Sequence, residues 1–172
     1  RVHAQNLQRR IPSARVILVA DPVEESARSA ADDFGIKFAV ADYQTVLQSP
    51  AVDAVVICSA THTHATIAMQ AAAAGKHIFC EKPLDFNLGV IDQVLAAVQQ
   101  AGVKLQMGFN RRFDPNFARV RQAVASGEIG TPHLMHIISR DPGPPPPDYI
   151  KVSGGMFLDM TIHDFDMARF LL

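Results

Sequence analysis

Apolar residues fall into two alternating arrangements along the first two thirds of this chain. Continuous apolar runs, several closed by an acid or a small polar residue, cover Ala14–Asp21, Asp53–Cys58, His77–Cys80 and Val103–Phe109. Runs of this kind predict parallel strands buried on both faces. Between them lie stretches of helix-forming composition that stop at glycine: Glu24–Phe34 before Gly35, Thr63–Ala74 before Gly75, and Asn87–Ala101 before Gly102. A short strand at Ile36–Val40 and a short helix near Tyr43–Gln48 complete the alternation, and Val2, Leu7 and Ile11 recur at rough helical spacing at the start. Strands alternating with helices of this length imply right-handed βαβ units and a parallel α/β sheet.

After about residue 110 the βα unit no longer repeats. Phe117–Ala125 predicts a helix, His133–Arg140 has strand character, and Asp141–Asp148, with five prolines, predicts a stiff extended loop. A last helix begins after Gly154-Gly155. The change in pattern puts a domain boundary near residue 110, dividing the chain into 1–110 and 111–172. The chain starts inside a helix and stops on an apolar helical face, so it reads as an internal piece of a longer protein.

Composition narrows the classes. Hydrophobic residues are 48% and charged residues 19%, ordinary for a globular domain with a real core. Net charge is 16 − 17 = −1 and no basic run occurs, which argues against nucleic acid or an anionic membrane as partner. No apolar run reaches the length of a membrane span. Cys58 and Cys80 both lie in apolar runs, so buried free thiols and a reducing cytoplasm are expected. His62, His64, His77 and Cys80, like His133 and His136, lack zinc spacing with a second ligand pair, so no metal site is expected.

The polar residues concentrate where the strands end. Asp21 closes one strand, Ser59 and Thr61 follow another, Glu81 and Lys82 end a third, and Asn110 and Arg111 end a fourth. In an open α/β sheet that carboxyl edge is where small ligands bind. Asp21 reads as the carboxylate that accepts from adenosine ribose hydroxyls and repels the extra phosphate of NADP; it also reads as a plain turn acid before Pro22. Proline after Lys82 restricts the backbone and permits a cis peptide, fixing the direction of the lysine. On an α-helix, Asp159 and His163 share a face four residues apart. They read as a general base with an orienting acid, or as a surface pair of small energetic weight. His64 reads as a polar group at a helix start, with Thr63 as its N-cap. The glycine-rich G-x-G-x-x-G turn of dinucleotide folds is absent.

Four stretches together resemble the Gfo/Idh/MocA oxidoreductases: Ile57–His64, Cys80-Glu81-Lys82-Pro83, Gly108–Asp114, and Gly154-Gly155 through His163-Asp164. Within that family they look most like its inositol-oxidising members. The resemblance covers essentially the whole chain. It implies an N-terminal Rossmann-type domain whose first strand and glycine turn are missing, then the start of an α+β substrate domain. It implies Lys82, Asp159 and His163 as the catalytic set, and NAD as cofactor held by Asp21, Ser59, Thr61, His64, Glu81 and Lys82. Asn110, Arg111 and Asp141 become the candidate contacts to hydroxyls of a small polyol, with myo-inositol the expected substrate. A homo-oligomer, as a rule a tetramer, is also implied. Another sugar or cyclic alcohol, or a non-catalytic dinucleotide-sensing regulator of the same fold, are the rival readings.

Overall fold

The computed structural model describes residues 1–172. Helix α1 (Val2–Arg10) leads into β1 (Leu18–Ala20), α2 (Glu24–Phe34), β2 (Phe38–Val40) and α3 (Gln44–Gln48). Then come β3 (Ala54–Ile57), α4 (Thr61–Ala73), β4 (His77–Cys80), α5 (Leu88–Ala101) and β5 (Leu105–Met107). All pairings are parallel, so the expected α/β architecture is present. The strands form two sheets, β1-β2 and β3-β4-β5, rather than one. Strand β1 therefore has a single ladder neighbour, and so does β3.

Local signals explain most element ends. The Asn87 side chain accepts from the Gly89 and Val90 amides and caps α5, while Gly102 closes that helix in the left-handed conformation. Thr63 does not cap α4, which begins two residues earlier after Ala60; its hydroxyl instead donates to the Ala60 carbonyl and meets Ser59 Oγ at 2.6 Å.

Burial on both strand faces is not what the structure has. In β3 and β4 it alternates: Val55, Ile57, Ile78 and Cys80 are buried, while Val56 is 40% exposed. The reason is that α4 and α5 pack on each other and on one face of this sheet, making a core of Ala68, Ala71, Ala72, Val94 and Val98 with the inward strand residues. Cys58, one residue past the ladder, is exposed; Cys80 is fully buried, and burial followed by the nearby Cys58 and Glu81 pushes its thiol up to about 12. Both cysteines are free. No helix is long and apolar enough to cross a membrane.

The remaining chain is organised differently. A 3₁₀ turn (Asn110–Phe113) runs into α6 (Pro115–Ala125), capped by the Asp114 carboxylate on the Asn116 and Phe117 amides, with proline at the first helical position. His133–Arg140 pairs with no strand, and Leu134 is 90% exposed. Strand-like composition makes a strand only where a sheet edge accepts it. The proline-rich stretch is not loop throughout but ends in a single helical turn, α7 (Pro147–Ile150), with proline at its start. The last helix opens with a π-helical turn, Phe157–Thr161, and continues as α8 (Ile162–Leu171), which packs on α6 and the 3₁₀ turn.

Candidate active site

The site is assembled where β3, β4 and β5 end, with the π-helical turn laid across it. Lys82 follows β4 by two residues and precedes Pro83 through a cis peptide bond. Its ammonium donates to the backbone carbonyl of Asp159 at 2.7 Å and to Asp159 Oδ1 at 3.0 Å. Only 18% and 14% of the two side chains are exposed. The same Oδ1 accepts from the Tyr149 hydroxyl at 2.8 Å. Residues 77 apart in sequence thus meet in one charge-assisted contact, which the short local motifs did not foretell.

His163 stands beside this group. Burial, then the charges of Lys82 and Arg111, hold its imidazole below the usual 6.5, while Asp164 and Asp166 pull weakly the other way. The ring is therefore neutral near pH 7 and free to accept a proton. It meets the Phe109 ring edge-on, with centroids 6.4 Å apart. The expected Asp159–His163 pairing along one α-helical face is not formed. Asp159 lies in the π-helical turn, so the α-helical spacing of four no longer applies, and its carboxylate goes to Lys82 and Tyr149 instead.

Two arginines that follow β5 lock the helix in place. Arg111 donates to Asp164 Oδ1 at 2.6 Å and to Ser139 Oγ at 2.9 Å. Asp164, next to His163 in sequence, is one of the charges acting on that imidazole. Arg112 grips Asp166 with Nε on both carboxylate oxygens and Nη2 on Oδ1, and Asp166 is only 8% exposed. Neither ion pair was legible beforehand, because each joins residues more than fifty positions apart. Asn110 is exposed and lines a small cavity of about 150 Å³ with His3, Phe79, Glu81 and Phe109. Asp141 is exposed, its carboxylate has no protein partner, and it is not among the charges acting on His163. No contact joins it to the cluster.

The expected cofactor side is mixed. Asp21 follows β1 and uses Oδ1 to accept the Val23 amide at 2.9 Å, while no protein donor reaches Oδ2. Ser59 and Thr61 flank the start of α4, whose first turn has no side-chain cap. Glu81 meets His3 Nε2 at 2.6 Å, and Gly108 lies against it: a Cβ there would sit 2.8 Å from Glu81 Oε2 and push that side chain aside. His64 does not face this edge. It is 2% exposed, with Nδ1 2.8 Å from the Pro83 carbonyl and Nε2 3.0 Å from the Ser59 carbonyl, so it braces two backbones from inside. A carboxylate at a strand end and a helix start without a side-chain cap are features a dinucleotide can use. No group of three or more metal-ligating side chains is present.

A parallel α/β unit with this edge, joined to an Asp–Lys–His cluster, defines an oxidoreductase of the dinucleotide-binding class. Residues 1–109 match the model of the oxidoreductase family with an NAD-binding Rossmann fold, and residues 117–172 match the GFO/IDH/MocA C-terminal domain. The chain belongs to the Gfo/Idh/MocA oxidoreductase family, and NAD is the cofactor its Rossmann fold serves. It is 48% identical over 171 residues to a myo-inositol 2-dehydrogenase of Thermotoga maritima, covering 99% of this chain and 51% of that protein. A myo-inositol dehydrogenase structure from Corynebacterium glutamicum superposes with a TM-score of 0.90 at 40% identity, over 99% of this chain and 51% of that one. A scyllo-inositol dehydrogenase from Lactobacillus casei, solved with NAD(H) and scyllo-inositol, gives 0.86 at 31% identity, over 99% and 52%. The chain spans about half the length of these relatives.

Proposed function

We propose that the whole protein oxidises a cyclic polyol, myo-inositol to its 2-keto form, with NAD as hydride acceptor. The observation that carries this is the meeting of Lys82, Asp159 and a neutral His163 at the carboxyl edge of the sheet. His163 takes the proton of the reacting hydroxyl. Lys82 spends two donors on Asp159 and keeps a third N–H for the same oxygen, favouring its alkoxide character as the C–H bond breaks. NAD, when bound, accepts the hydride released from that carbon. Asp159 holds a neighbouring hydroxyl, and Asn110 supplies a further contact. Arg111, held by Asp164 and Ser139, uses two of its five N–H donors on them and keeps others for a substrate hydroxyl.

Asp21 fits NAD better than NADP, since a carboxylate repels a 2′-phosphate. The boundary near residue 110 is supported by the two family models, which end at 109 and begin at 117. Free thiols suit a reducing cytoplasm, and a homotetramer acting in inositol catabolism, with no nucleic acid or membrane partner, completes the proposal. The test is reduction of NAD and NADP by the full-length gene product with myo-inositol, scyllo-inositol and glucose in parallel. Preference for scyllo-inositol, the ligand of the Lactobacillus casei relative, would redirect the substrate assignment. Cofactor binding without turnover on any polyol would point to a regulator instead.

A further inference from the structure

Tyr149 lies outside every motif the sequence singled out, yet its hydroxyl reaches the centre of the site. It donates to Asp159 Oδ1, the oxygen that also accepts from Lys82, while no protein donor reaches Oδ2. Two donors converging on one oxygen fix the plane of a carboxylate and define which oxygen stays open. The tyrosine is itself anchored. The buried Ser153 hydroxyl donates to the Ile150 carbonyl and accepts the Gly155 amide, tying α7 to the start of the π-helical turn that carries Asp159. Gly154, between them, has φ +79°, and a Cβ there would run into the Phe86 ring, so this crossing tolerates only glycine. Burial, then the bond to Asp159 and its charge, raise the Tyr149 pKa above 10, so the phenol remains a donor across neutral pH.

We infer that Tyr149 is a positioning residue that, with Lys82, saturates Oδ1 of Asp159 and thereby presents Oδ2 to a ring hydroxyl of the polyol. The inference rests on the polyol dehydrogenase reading above. The phenol does not touch the reacting carbon; it sets which carboxylate oxygen the substrate meets. Without it, Lys82 alone leaves the carboxylate free to turn, and substrate hydroxyls lose a defined acceptor.

The test is Tyr149→Phe in the full-length gene product, which keeps the ring and deletes the donor. Losing one hydrogen bond to a charged group predicts KM for the polyol raised about 10-fold, with kcat changed less and KM for NAD unchanged. In an Asp159→Asn background the same substitution should add less than about a two-fold effect, because the two side chains act as one unit. A polyol KM within about two-fold of wild type, or an effect that persists in the Asp159→Asn background, overturns the inference. A titration of tyrosinate absorbance, taken as wild type minus Tyr149→Phe, reads the contact without turnover. Tyr149 should ionise above 10, and at lower pH once Asp159 is Asn; no response to Asp159→Asn refutes the contact. Wild-type protein that reduces NAD with no polyol refutes the functional reading and the ligand named here, while the titration still decides the Tyr149–Asp159 contact.

Discussion

Lys82→Met removes the ammonium and keeps the apolar stem. In the native site that ammonium has two acceptors on Asp159, at 2.7 and 3.0 Å, in surroundings that leave both side chains mostly covered. Removing it leaves the carboxylate with Tyr149 as its only protein donor. A charged acceptor left half-satisfied costs about 1–3 kcal/mol, and the remaining tyrosine keeps the loss toward the lower end. The cost to chemistry is larger, because the lysine steadies an oxygen that gains negative charge only as the reaction proceeds. Loss of one preorganised donor of that kind lowers kcat by about 10²–10³. A third consequence separates this account from simple damage. Lys82 is one of the charges that hold His163 below 6.5, so in the variant His163 takes up a proton at higher pH. The acid limb of kcat/KM therefore moves upward. The assay is a pH–rate profile of NAD reduction with myo-inositol, wild type against variant, in the full-length gene product. An acid limb that stays in place or moves down, in a variant whose kcat is within about five-fold of wild type, refutes the reasoning.

Further outcomes follow from the same geometry. His163→Ala should lower kcat by about 10²–10⁴ through loss of the base; turnover within a few-fold of wild type would be the contrary result. In the wild type the His163 acid limb should lie below pH 6.5, and stability should fall as pH drops through 6.5, since the unfolded histidine binds its proton before the folded one does. Equilibrium unfolding across that range measures it. Arg112→Leu strips three donor contacts from the buried Asp166 and should cost about 2–3 kcal/mol in denaturant unfolding, because the arginine itself is partly solvated. Asp21→Ala should raise KM for NAD about 10-fold and narrow the preference over NADP; an unchanged cofactor ratio would remove Asp21 from the ribose site.

The parts legible in the sequence share one property: they are set by near neighbours. Glu24–Phe34, His77–Cys80 and the stop of α5 at Gly102 follow from local runs and caps, and the structure has them as predicted. Strand lengths were overstated because apolar runs continue past the last residue that finds a partner, as Ala14–Ile17 does before β1. His133–Arg140 has strand character but pairs with no strand. At the site, Lys82, Asp159 and His163 were visible as residue types on suggestive elements. What joined them was hidden, since the π-helical turn, the Tyr149 bond and the Arg111–Asp164 pair all depend on long-range placement. His64 shows the opposite error: its position in a motif suggested a ligand contact, whereas packing turned it inward to brace two loops.

The π-helical turn at Phe157–Thr161 separates two demands that a plain α-helix would bind together. Downstream, α8 must keep Asp166 and Met167 buried, with Asp166 held by Arg112. Upstream, Asp159 must address Lys82 across the cleft. An extra residue in one turn acts as a phase shift between these faces, so the packing surface and the carboxylate can each be set without rotating the other. Deleting a single residue between Phe157 and Asp159 would restore continuous α-helical phase. It would force the protein to keep either its buried helix face or its lysine–carboxylate contact.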